Sequence, residues 1–146
     1  MKNLFSKLTN QDVALFDAIK NGSAEQIALA ISNGADINVF GEKYDVYSSI
    51  SPLEYAIYCN TKPGIIAGII DNGANINEVN EERKRSVLEI VICFYYDNSI
   101  VDYLLQKGAQ FPTEQHRWAF EGDIEALQTI SGNINEIKTA SGCTLL

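Results

Sequence analysis

The chain has 146 residues, 46% from the apolar set and 21% charged, which is enough apolar material for the core of one domain and too much for a disordered chain. Its 11 Lys and Arg against 19 Asp and Glu give a net charge of -8, arguing against a phosphate-backbone binder and favouring a basic partner. No apolar run approaches the ~18 residues of a membrane span, the start Met1-Lys2-Asn3-Leu4-Phe5-Ser6 lacks a signal-peptide core, and Cys59, Cys93 and Cys143 form no CxxC; a soluble cytoplasmic protein without disulfides is expected.

The first apolar stretch, Val13-Ala14-Leu15-Phe16-Asp17-Ala18-Ile19, follows Thr9-Asn10-Gln11-Asp12. That lead-in suits a capping box, in which Thr9 and Asp12 satisfy each other's backbone N–H groups. A helix over 11–20 is predicted, paired with one over 24–32 that carries Ile27, Leu29, Ala30 and Ile31. The next turn, Asn33-Gly34-Ala35-Asp36-Ile37-Asn38, puts glycine where a helix ends in the left-handed region. From Gly34 to Ser51 is 17 residues, against 12 from Gly132 to Thr144, an excess of five in a loop that includes residues 40–50. Ordering such a loop costs about 1–2 kcal/mol per residue, so it must be held by its own packing or by a partner.

Ser51-Pro52-Leu53-Glu54-Tyr55-Ala56-Ile57 begins a helix over 52–60, with serine as N-cap and proline in the first turn. Pro63 starts its mate over 63–71, where Ile65, Ile66, Ile69 and Ile70 form an apolar stripe. Asp71-Asn72-Gly73-Ala74-Asn75-Ile76-Asn77 repeats the turn, and a mixed-charge loop follows, with Glu78, Glu81 and Glu82 beside Arg83, Lys84 and Arg85. Ser86-Val87-Leu88-Glu89-Ile90-Val91-Ile92 lies 35 residues after the Ser51 segment, and each serine precedes the next turn glycine by 22 residues. Its β-branched content suits a strand, but the shared register predicts a helix over 86–95, paired with 98–106. The turn at Gly108-Ala109 leads to a shortened fourth pair within 113–130, a further turn at Gly132-Asn133-Ile134-Asn135, and Gly142-Cys143-Thr144 near the end.

As a set these segments resemble the ankyrin repeat. Ser51-Pro52-Leu53-Glu54-Tyr55-Ala56 is similar to the family's Thr-Pro-Leu-His-x-Ala helix start, and Asn33-Gly34-Ala35-Asp36-Ile37-Asn38 and Asn72-Gly73-Ala74-Asn75-Ile76-Asn77 to its turn. Glu54 and Glu89 stand where the family has histidine, Val87 replaces its proline, and the glycine spacings of 39, 35 and 24 depart from its period of about 33. The resemblance covers about residues 10–146 and implies an all-α fold, an ankyrin-repeat solenoid of about four stacked helix-turn-helix units with projecting hairpin-like loops. These units would span 10–38, 51–77, 86–110 and 113–135 within one domain over 1–146, with a truncated start at 142–146.

Little in the residues supports catalysis. His116 is the lone histidine and reads as a surface or packing residue. Cys59 and Cys93 occupy related places near the ends of first helices and read as packing residues. Glu54 and Glu89 fit the favourable positive end of a helix. Neither GxGxxG nor GxxxxGK[ST] occurs, so no cofactor, no metal and no enzyme activity are expected.

The resemblance further implies a concave side formed by residues just before each helix start and near the end of each first helix. The candidate protein-binding residues are Tyr44, Tyr47, Ile50, Tyr58, Glu82, Arg83, Phe94, Phe120 and Glu121. Tyrosines suit such a surface because they bury area with few rotamers to freeze. The expected function is a non-enzymatic protein-binding module, monomeric before its partner binds and without nucleic-acid or membrane partners. A more specific form is an inhibitor or immunity-type protein covering a basic toxin or effector. The alternatives are a scaffold or regulatory subunit of a larger assembly or a host-directed ankyrin effector, and last of all an enzyme.

Overall fold

The computed structural model describes residues 8–43, 46–80, 82, 84–94, 98–111, 114, 117, 121 and 122. Thr9 opens the first helix, α1 (Asn10–Asn21), from an extended backbone. Its hydroxyl accepts the Asp12 N–H at 3.2 Å, and the Asp12 carboxylate accepts the Thr9 N–H at 2.9 Å and the Thr9 hydroxyl at 2.7 Å. The capping box expected from Thr9 to Asp12 is therefore formed. Ser23 caps α2 (Ala24–Ser32), accepting the Gln26 N–H at 3.3 Å.

Two strands follow, β1 (Gly41–Lys43) and β2 (Val46–Ile50), antiparallel with Gly41 opposite Ile50 and Lys43 opposite Val46. A Cβ on Gly41 would lie 2.2 Å from a Leu8 methyl, so glycine lets that leucine cover the strand. Next come α3 (Pro52–Tyr58) and α4 (Pro63–Asp71), each with proline in its first turn. A second antiparallel pair, β3 (Val79–Asn80) and β4 (Arg85–Ser86), precedes α5 (Val87–Phe94) and α6 (Asn98–Gln106). The described residues are thus mostly helical, with two short antiparallel strand pairs in stretches that the residues alone marked as loops and for which the resemblance implies hairpin-like loops. The β-branched run at 87–92 is helical. The fourth helix pair falls largely outside the described residues.

The chain divides into two units, Met1–Ile76 and Asn77–Leu146. In the first, α1 packs against α2 and α3, and α3 against α4. Leu15, Phe16, Ile19, Ile50, Leu53, Ile66 and Ile69 are buried there, and Phe16 meets the Tyr55 ring edge-on at 5.3 Å. In the second, α5 packs against α6 and β4, and Val87, Leu88, Ile90, Val91, Val101 and Leu104 are buried. Leu29 departs from the predicted stripe. It is 60% exposed, because Ile27 and Ala30 define the buried side of α2.

Helix ends recur in one form. At Gly34 (φ 98) the glycine N–H donates to the Ile31 carbonyl and the Ala35 N–H to the Ala30 carbonyl, both at 3.0 Å. Gly73 and Ala74, and Gly108 and Ala109, repeat this pair of bonds after α4 and α6. After α3 the left-handed position is taken by Asn60 (φ 50), whose N–H reaches the Ile57 carbonyl while the Thr61 N–H reaches that of Ala56. Helix α3 therefore stops at Tyr58, two residues before the predicted 60. Nothing lies within 4 Å of a Cβ built on Gly34, so Gly34→Ala isolates the backbone term and is expected to lower stability by about 1–2 kcal/mol. Asn60→Gly is expected to leave stability level or raise it slightly. Urea titration of both variants checks this, and a neutral Gly34→Ala would mean that the turn relaxes.

Side chains also tie neighbouring turns together. Asn38 donates through Nδ2 to the Gly73 carbonyl at 3.1 Å and accepts the Asn75 N–H at 2.7 Å. Asn77 does the same with the Gly108 carbonyl at 3.0 Å and the Gln110 N–H at 2.8 Å. At the first turn Asp12 is the acceptor, taking the Asp36 N–H at 2.9 Å. Asp36, Asn75 and Gln110 each lie two places after a turn glycine, so one backbone N–H per turn is captured by a preceding side chain.

Candidate protein-binding surface

In the first unit, Tyr47 and Ile50 lie on β2, which leads into α3, and Tyr58 is the last residue of that helix. Ile50 corrects the expectation of a binding residue: it is 0% exposed. It precedes the N-cap Ser51, a position where an apolar side chain commonly folds inward to fix the chain's entry into a helix. Tyr58 is half-buried, as is Cys59, whose N–H donates to the Tyr55 carbonyl at 2.9 Å. Tyr58 thus keeps part of its surface in solvent.

In the second unit, Glu82 is exposed in the loop between β3 and β4. That loop is organised by Asn80, which is 2% exposed. The Asn80 Oδ1 accepts the Glu82 N–H at 3.1 Å, and its carbonyl accepts the N–H of Lys84 (φ 53) at 2.7 Å. Phe94 ends α5. Glu121 is exposed and pairs with Arg117 at 3.2 Å, and Arg117 also bonds Glu114. Hydrogen bonding to Glu114, then the charges of Glu114 and Glu121, raise the Arg117 pKa despite opposing desolvation. Tyr44, Arg83 and Phe120 lie outside the described residues, as does His116. Tyr47, Ile50 and Tyr58 belong to the first unit, and Glu82, Phe94 and Glu121 to the second.

The buried carboxylates sit at helix starts. Glu54 is 2% exposed, and its Oε2 accepts the Ser51 N–H at 3.2 Å while the Ser51 hydroxyl accepts the Glu54 N–H at 3.3 Å. At α5 the Ser86 hydroxyl accepts the N–H of Glu89, itself 3% exposed. For Asp12, burial alone raises the pKa, but hydrogen bonds from the Thr9 hydroxyl, the Asp36 N–H and the Thr9 N–H together bring it below its ordinary value. Among the described residues no group of three or more His, Cys, Asp or Glu could hold a metal ion. No helix there is long and apolar enough to cross a membrane.

Sequence reasoning missed Val79 on β3, which is 47% exposed. Its place in the mixed-charge loop offered no periodicity from which to read its orientation. It also missed the turn-bridging asparagines, although Asn38 and Asn77 both stand four residues after a turn glycine. No family model matches the chain, and no curated protein sequence is significantly similar to it.

Proposed function

We propose that this chain is a non-enzymatic protein-binding module of ankyrin-like build, with a binding surface in the first unit at the β1–β2 hairpin and the end of α3. The observation that carries this reading is the recurrence of one frame. The pairs α1–α2, α3–α4 and α5–α6 end in the same two hydrogen bonds, and asparagines at one repeat position bridge successive turns. A repeated frame with variable loops offers a recognition surface without a catalytic centre. The carboxylate of Glu54 accepts the Ser51 N–H as part of the cap of α3.

The net charge of -8 makes a basic partner the best match, and an inhibitor or immunity-type role toward a basic toxin or effector is the specific form we favour. Opposite charge speeds association and loses force as salt screens it.

The test is capture of the partner on the immobilised chain, followed by affinity measurement with the purified pair. Tyr47→Ala and Tyr58→Ala are expected to weaken binding about 30-fold each, the factor that roughly 2 kcal/mol carries. Leu29→Ala on α2 should leave it unchanged. The on-rate should fall with salt, and the partner's activity should be lost in the complex. Normal binding by both tyrosine variants together with loss in Leu29→Ala would reject the surface. Tight, salt-sensitive binding of the chain alone to duplex DNA would reject the proposed partner class.

A further inference from the structure

Asn33–Gly34 and Asn72–Gly73 are chemically the same step, an asparagine followed by the residue whose unhindered backbone nitrogen most readily attacks an asparagine side chain. They also share a backbone. Asn33 has φ -85 and ψ 3, and Asn72 has φ -85 and ψ 10. Both are exposed. Each following glycine donates its N–H at 3.0 Å, to the Ile31 and the Ile70 carbonyl respectively. Backbone geometry therefore gives neither step an advantage.

Their side chains differ. The Asn72 Nδ2 donates to the Gly68 carbonyl one turn back at 2.7 Å. The matching acceptor for Asn33 is the Leu29 carbonyl, which already takes the Asn33 N–H at 3.0 Å and the Ser32 hydroxyl at 2.8 Å. A carbonyl oxygen has two lone pairs, and both are then in use. Asp71 stands where Ser32 does, and an ionised carboxylate has no proton to donate, so the Gly68 oxygen stays open to the Asn72 amide. Among the described residues the Asn33 amide makes no hydrogen bond.

We propose that Asn33–Gly34 is a site of spontaneous deamidation and that Asn72–Gly73 is protected by its tether. The Gly34 backbone nitrogen attacks the Asn33 Cγ and forms a C–N bond. The side-chain nitrogen leaves as ammonia, taking up the proton that Gly34 gives away. Water then opens the cyclic imide to aspartate or isoaspartate. The reaction places a negative charge at the C-terminal end of α2, where the helix dipole opposes it and the last turn holds no basic residue. Isoaspartate also lengthens the backbone just before the turn whose Asp36 N–H docks on Asp12. Charge heterogeneity and a loosened first turn are the consequences.

The experiment is incubation of the full chain in mildly alkaline buffer, followed by peptide mapping by mass spectrometry with chromatographic separation of isoaspartate. Conversion at position 33 is expected to outpace position 72 by about three- to tenfold, the factor that one net hydrogen bond carries. Ser32→Ala frees the Leu29 carbonyl for the Asn33 amide and should slow position 33, whereas Asp71→Ser should speed position 72. Position 72 reacting as fast as position 33, or a rate at position 33 unchanged by Ser32→Ala, would overturn the proposal. So would a folded chain intact at position 33 while an unstructured peptide of the same sequence reacts.

Discussion

Replacing Leu53 or Leu88 by alanine is expected to lower stability by about 2–5 kcal/mol, the range for truncating a buried leucine whose surroundings only partly close on the space left behind. Both follow a capping serine by two residues, at the starts of α3 and α5, and they are 1% and 0% exposed. A loss of that size is a large share of the ~5–15 kcal/mol that holds an ordinary domain folded. Leu53 belongs to the first unit and Leu88 to the second, so native-state hydrogen exchange should show protection falling first in the unit that carries the change. Denaturant titration measures the total. A loss below about 1 kcal/mol for either would place that leucine outside the working core.

The second large effect is expected at Asp12, whose carboxylate joins the start of α1 to the turn at Asp36. Asp12→Ala removes the acceptor for the Thr9 N–H, the Thr9 hydroxyl and the Asp36 N–H. A cost of about 1.5–3 kcal/mol is expected, as for hydrogen bonds to a charged group. Asp12→Asn keeps an oxygen for Asp36 but gives up the charge, so its loss should be smaller. The group's folded pKa lies below its unfolded value. Its contribution is therefore fully present above the unfolded pKa and is lost as pH falls through the folded one. Stability measured against pH should drop in that acidic window for the native chain and stay flatter there for Asp12→Asn. Parallel profiles would show that Asp12 does not supply this pH dependence.

Helix positions were legible because their signals are local. The predicted spans 24–32, 63–71 and 98–106 coincide with α2, α4 and α6, where glycine turns, prolines and short apolar stripes mark the ends. The end of α3 was less legible, since Asn60 does the work of glycine without looking like it. Turn-to-turn bonds were hidden for a different reason. They join residues such as Asn38 and Asn75, or Asn77 and Gln110, that no short window contains together. For the candidate surface, register put Tyr47 on the long loop before a helix start and Tyr58 near the end of that helix; the structure has Tyr47 on β2 and Tyr58 as the last residue of α3. Register did not reveal that Ile50 turns inward, because inward orientation at a strand end depends on the helix entered next. Leu29 shows the same limit on a helix: its apolar character suited the stripe, yet the packing of α2 left it outside.

The asparagine bridges carry a consequence for how such a chain tolerates change in length. Gly34 and Gly73 are 39 residues apart, and Gly73 and Gly108 are 35 apart, yet Asn38 and Asn77 make the same two bonds across these unequal intervals. The frame is indexed by turns rather than by residues. The four extra residues of the first interval lie between the turn at Gly34 and the helix start at Ser51, so a loop there lengthens without changing the bonds that Asn38 makes.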